Sequence, residues 1–86
     1  MDTADRETES LRRTVVAALA HAHAAVETPS AERIVAARRC AALALAAAGR
    51  ARFTLGAAGL IVAMVARLRE IMQLVEHQAA VSCAGG

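Results

Sequence analysis

The 86-residue chain carries ten Arg and no Lys against eight acids, a net charge of +2, and a hydrophobic fraction of 57% that is mostly alanine. A chain this short forms one domain at most, and its small apolar side chains supply little buried area, so an isolated copy is expected to be marginal and a self-associating dimer or a larger partner to supply the missing burial. No Gly-rich phosphate loop follows a strand, no Ser lies in an elbow motif and no acids pair in an apolar setting; an enzyme is therefore not expected, and no cofactor or small-molecule substrate is evident.

The first helix is expected over about residues 5–27. Leu11, Val15, Ala18, Leu19, Ala22 and Val26 recur at spacings of four, three, one, three and four, which hold one helical face. Acids crowd its start, where the helix dipole favours them, and Glu9 lies four residues before Arg13. His21 and His23 form an H-x-H, but positions two apart on a helix diverge by about 200°, so one ion cannot be held by both and no metal site is expected.

Glu27-Thr28-Pro29-Ser30 reads as a stop and a restart, with Thr28 as N-cap and Pro29 at the first helical position. The second helix is expected over about 29–48, closed by a left-handed Gly49. Its stripe is Ile34, Ala41, Leu45 and Ala48, with Val35 and Ala42 beside it. Arg38 falls on that stripe, so either its stem packs while the guanidinium reaches water, or the stripe faces a partner carrying an acid. Cys40 reads as an inert core thiol. With Cys83 it forms no ligand spacing, and the two thiols suit a cytoplasmic chain, as does the absence of a secretory signal pattern at the start.

Phe53-Thr54 reads as the start of a third helix over about 54–80, Thr54 being the N-cap. Only residues 50–55 offer a strand instead. From Ala57 the chain keeps a heptad: Ala57, Ile61, Met64, Leu68, Ile71, Val75 and Gln78 alternate at four and three. Leu60, Leu74, Val65 and Met72 flank the seam, so one face could serve the first two helices and a flank a second copy. The uncharged stretch 53–66 spans about 21 Å as a helix, too short to cross a bilayer, although a membrane-surface role is a second alternative. Residues 81–86 lack periodicity and are expected to form a flexible tail.

The expected architecture is therefore all-α, a small three-helix antiparallel bundle over residues 1–80 that dimerises through its long C-terminal helix. The function expected is a helical protein–protein interaction module, an assembly, adaptor, chaperone-like or inhibitor protein that binds itself or another protein. Leu60, Ile61, Met64, Leu68, Ile71, Met72 and Val75 are its candidate interface. The alternative rests on the seven arginines between Glu32 and Glu70. Arg38, Arg39, Arg50, Arg52, Arg67 and Arg69 are candidate contacts for an anion or nucleic acid, because neutralising phosphates provides most nonspecific affinity. Against base reading, the helix after Phe53 opens without Arg, Asn or Gln.

Overall fold

The computed structural model describes the backbone of residues 3–50 and 55–85 and the side chains of residues 6–50 and 59–81. Three helices and no strand occur among the described residues: α1 (Thr3–Glu27), α2 (Ala31–Arg50) and α3 (Leu55–Gly85). The all-α bundle expected from periodicity is present. It is a slender body of 52 × 19 × 18 Å in which every helix packs on the other two.

The first boundary is set by Ser30 rather than Thr28. Pro29 disfavours a helical conformation at the residue before it, and α1 closes with the Thr28 amide donating to the Ala24 carbonyl at 2.9 Å. The Arg33 amide then donates to Ser30 Oγ at 3.1 Å, the N-cap geometry, and the Ile34 amide donates to the Ser30 carbonyl at 2.9 Å. Thr28 contributes only its carbonyl, which accepts from Arg33 Nη1 at 3.3 Å. Helix α2 thus begins two residues after the expected start. It also runs through Gly49, which is not left-handed, to Arg50. The expected cap Thr54 and the Phe53 before it lie outside the described residues, as does Arg52. Helix α3 continues to Gly85, five residues past the end expected from periodicity.

Short links make α1 and α2 antiparallel and return α3 parallel to α1. Arg50 at the end of α2 accordingly lies beside Arg6, Ser10 and Thr14 near the start of α1, while Leu45 and Ala48 lie beside Ile61 and Val65. The core has two textures. Ala18, Ala22 and Ala25 of α1 and Ala37, Ala41 and Ala44 of α2 are all nearly or fully buried, and side chains this small let the two backbones approach closely. Helix α3 fills the trough between them with Ile61, Leu68, Ile71 and Val75, joined by Leu11, Val15 and Ile34.

The α2 face is therefore rotated from the expected stripe. Ala37 and Ala44 point inward, Leu45 and Ala48 are half-buried, and Val35 and Ala42 are exposed. An alanine reveals its orientation weakly, because its one methyl can lie on either side of a boundary at little cost.

Helix α3 outruns its neighbours. Its 31 residues extend about 46 Å, against about 37 Å for the 25 of α1 and about 30 Å for the 20 of α2. Val75 is the last large side chain of α3 in the buried core, but contact with the bundle continues beyond it, because Glu76 bonds Arg38 of α2 and Ala79 packs against the core.

Candidate interaction surface

Two heptad rows run side by side along α3. Ile61, Leu68 and Val75 repeat every seven residues and are each at most 1% exposed, so this row belongs to the chain's own core, as does Ile71. Four of the seven side chains expected at a partner interface are thus already covered within a single copy. Their burial follows from the alanine faces of α1 and α2, which leave a trough that only bulky side chains can fill. Met64 and Met72 are half-buried beside them.

One residue earlier in each repeat, and so about 100° around the helix, lie Leu60, Arg67, Leu74 and Val81. Here the leucines and the valine are 56%, 53% and 51% exposed. This outer row borders α1, where His23, Val26 and Glu27 face Arg67, Glu70, Ile71 and Leu74 across an open groove of about 460 Å³. One to two turns back along α1, exposed Val16 and half-buried Leu19 extend the same side towards the level of Leu60. Helix periodicity carried the outer-row signal, since Leu60 and Leu74 were legible as flanks. Arg67 interrupts the row and conceals that Val81 continues it.

The opposite flank of α3 is less continuous. Val62 is exposed above a groove of about 270 Å³ shared with Leu45, Ala48, Gly49 and Arg69, whereas Val35 and Leu43 of α2 stand apart on its outer side. Cys40 is half-buried on α2, bordering a shallow surface formed by Val35, Ala36 and Arg39.

Among the described residues, the five candidate basic side chains Arg38, Arg39, Arg50, Arg67 and Arg69 do not share a face. Arg38 donates from Nε and Nη2 to Glu76 at 2.7 and 2.6 Å, a two-pronged link from α2 to α3 that holds the Glu76 carboxyl below its usual range. The acid that Arg38 meets is therefore the chain's own Glu76 rather than one expected on a partner. Arg39 lies on the outer side of α2, Arg50 borders the α1–α2 groove, and Arg69 borders the α2–α3 groove. Arg67 sits on the α1 side of α3, 3.6 Å from Glu70. At the start of α1, Arg12 takes the main part that spacing assigned to Arg13: it meets Glu9 at 2.6 Å, with Arg13 at 3.4 Å, and the Arg12 hydrogen bonds lower the Glu9 pKa.

His21 and His23 are both exposed, two residues apart on different sides of α1. No three His, Cys, Asp or Glu side chains converge to hold a metal among the described residues, and no described helix is long and apolar enough to cross a membrane. Compared with family models, with curated proteins and with solved structures, the chain matches none.

Proposed function

We propose that this protein is a helical interaction module whose output is the binding of another polypeptide, itself or a partner, through the outer row of α3 and the adjoining side of α1. The observation that carries this reading is the row of Leu60, Leu74 and Val81, each more than half exposed along one side of a bundle whose interior is already filled. Aliphatic side chains aligned at heptad spacing next to a shallow groove suit the apolar face of another helix. Arg67, Glu70, His23 and Glu27 border the same groove and would supply a polar rim that fixes orientation. Phosphate binding by the arginines has less support, because the described ones are dispersed over different sides of the bundle and Arg38 is engaged by Glu76. A cytoplasmic setting fits the two thiols.

A photo-crosslinking residue at position 74, carried by the full chain in its source cells, tests the reading. A discrete adduct at 74, absent when the crosslinker replaces exposed Ala20 on the far side of α1, is the expected result. No adduct at 74, or the same adducts from both positions, would refute it.

A further inference from the structure

We infer that the groove between the start of α1 and the end of α2 binds the phosphate group of a small molecule, held by Arg6 and Arg50. This site is separate from the outer row of α3 and does not depend on it.

The groove, of about 430 Å³, is walled by Arg6, Glu7, Ser10 and Thr14 of α1 and by Arg50 of α2, above the buried Leu11. Arg6, Ser10 and Thr14 recur every four residues, so α1 presents them in one row. Arg50 arrives from the other wall, because antiparallel packing sets the last turn of α2 beside the first turns of α1.

Most described arginines already have a partner. Arg12 and Arg13 meet Glu9, Arg33 meets the Thr28 carbonyl, Arg38 meets Glu76 and Arg67 meets Glu70. The guanidiniums of Arg6, Arg39, Arg50 and Arg69 bond to no described residue. Arg39 and Arg69 each border a groove with no second arginine, whereas Arg6 and Arg50 share one. Two like charges on one groove repel, and an anion between them turns that repulsion into attraction. The spread of the other arginines argues against a nucleic-acid surface and leaves this pair as a site for a single group.

The donors select the group. Thr14 donates its hydroxyl proton to the Ser10 carbonyl at 3.0 Å, while the Ser10 hydroxyl bonds to no described residue and can donate into the groove. Two guanidiniums from different helices and one hydroxyl therefore face a common space. One guanidinium fork is enough for the two oxygens of a carboxylate, whereas a phosphate has oxygens for all three donors. Arg6 stands in the first turn of α1, where the helix dipole also favours negative charge. Glu7 is the one acid among the lining residues, so two positive charges oppose one negative, and its carboxylate weakens binding without reversing the sign.

The test is nitrogen-15 NMR of the full chain, titrated with inorganic phosphate against chloride at equal ionic strength. Saturable shifts of the Arg6 and Arg50 side-chain Nε–H signals are expected, with Arg39 and Arg69 showing only the drift that chloride gives. Arg6→Gln and Arg50→Gln should each weaken binding about tenfold, Glu7→Gln should tighten it about threefold, and Arg39→Gln should leave it unchanged. All four positions are exposed, and circular dichroism checks that each variant keeps its helices. The same drift at all four arginines, or an Arg6 shift that survives in Arg50→Gln, would overturn the site. Equal saturation by acetate would overturn the choice of phosphate.

Discussion

Replacing Leu68 and Leu74 by alanine, one at a time, separates the two rows of α3. Leu68 is fully buried, and truncating it removes about three carbons from the core, worth about 2.4 kcal/mol in transfer alone. Much of its surroundings on α1 and α2 is alanine, which has no rotamers with which to refill the space. A cavity contribution of about 1 kcal/mol then brings the loss to about 3.5 kcal/mol. Against a total of about 4–13 kcal/mol for a chain of this size, that is a large fraction. Leu74 is 53% exposed, so its truncation should cost a single copy only about 1 kcal/mol. Urea melts followed by circular dichroism, run at several protein concentrations, read both. At an m-value of about 1.5 kcal/mol/M, Leu68→Ala should lower the midpoint by about 2 M at every concentration. Leu74→Ala should lower it by only about 0.7 M. Equal losses from the two variants at the lowest concentration would refute the division of α3 into an inner and an outer row.

Ser30→Ala should cost about 1 kcal/mol by thermal or urea melting because the Arg33 amide loses its cap, while Thr28→Ala should cost almost nothing, its contribution being a backbone carbonyl. Removing the Arg38–Glu76 link by single and double alanine substitutions should give a coupling of about 0.5 kcal/mol, small because both side chains are about half exposed. The Glu76 pKa is lowered in the folded chain, so the stability that this link contributes is present above the ordinary carboxylate pKa and is lost as pH falls through the folded value. Stability in the Glu76→Gln variant should therefore fall less steeply on acidification below about pH 4.5. Gly49→Ala and Gly59→Ala should each stabilise the chain by about 0.5–1 kcal/mol, since both glycines are helical, neither has a positive φ, and an added methyl meets nothing within 4 Å.

Sequence periodicity revealed most where side chains are large. Leu11, Val15, Ile61, Leu68, Ile71 and Val75 have enough apolar area to mark the inward direction, and all are buried. Alanine carries a weaker signal, so the inward turn of Ala25, Ala37 and Ala44 escaped the pattern and the α2 face was drawn partly around Val35 and Ala42, which are exposed. At the first turn, Thr28 and Ser30 are both good caps, and only backbone geometry distinguishes them. The partner of Arg38 lies 38 residues away on another helix, a distance no local spacing can bridge. The inner heptad was legible, but not that α1 and α2 of the same chain cover it. Whether such a row faces one's own helices or another chain depends on the trough that α1 and α2 leave, which is a tertiary property. Leu60 and Leu74 were legible as flanks of that row, whereas the continuation to Val81 depends on α3 remaining helical past residue 80.

Amide hydrogen exchange across residues 80–85, read by mass spectrometry on the full chain at micromolar concentration, bears most directly on the proposal that the outer row of α3 is covered by another chain. Protection of these amides in the native protein, and its loss on dilution and in Leu74→Asp while the amides around Leu68 stay protected, is the pattern that coverage predicts. Free exchange in the native protein, or equal protection in Leu74→Asp, would contradict it.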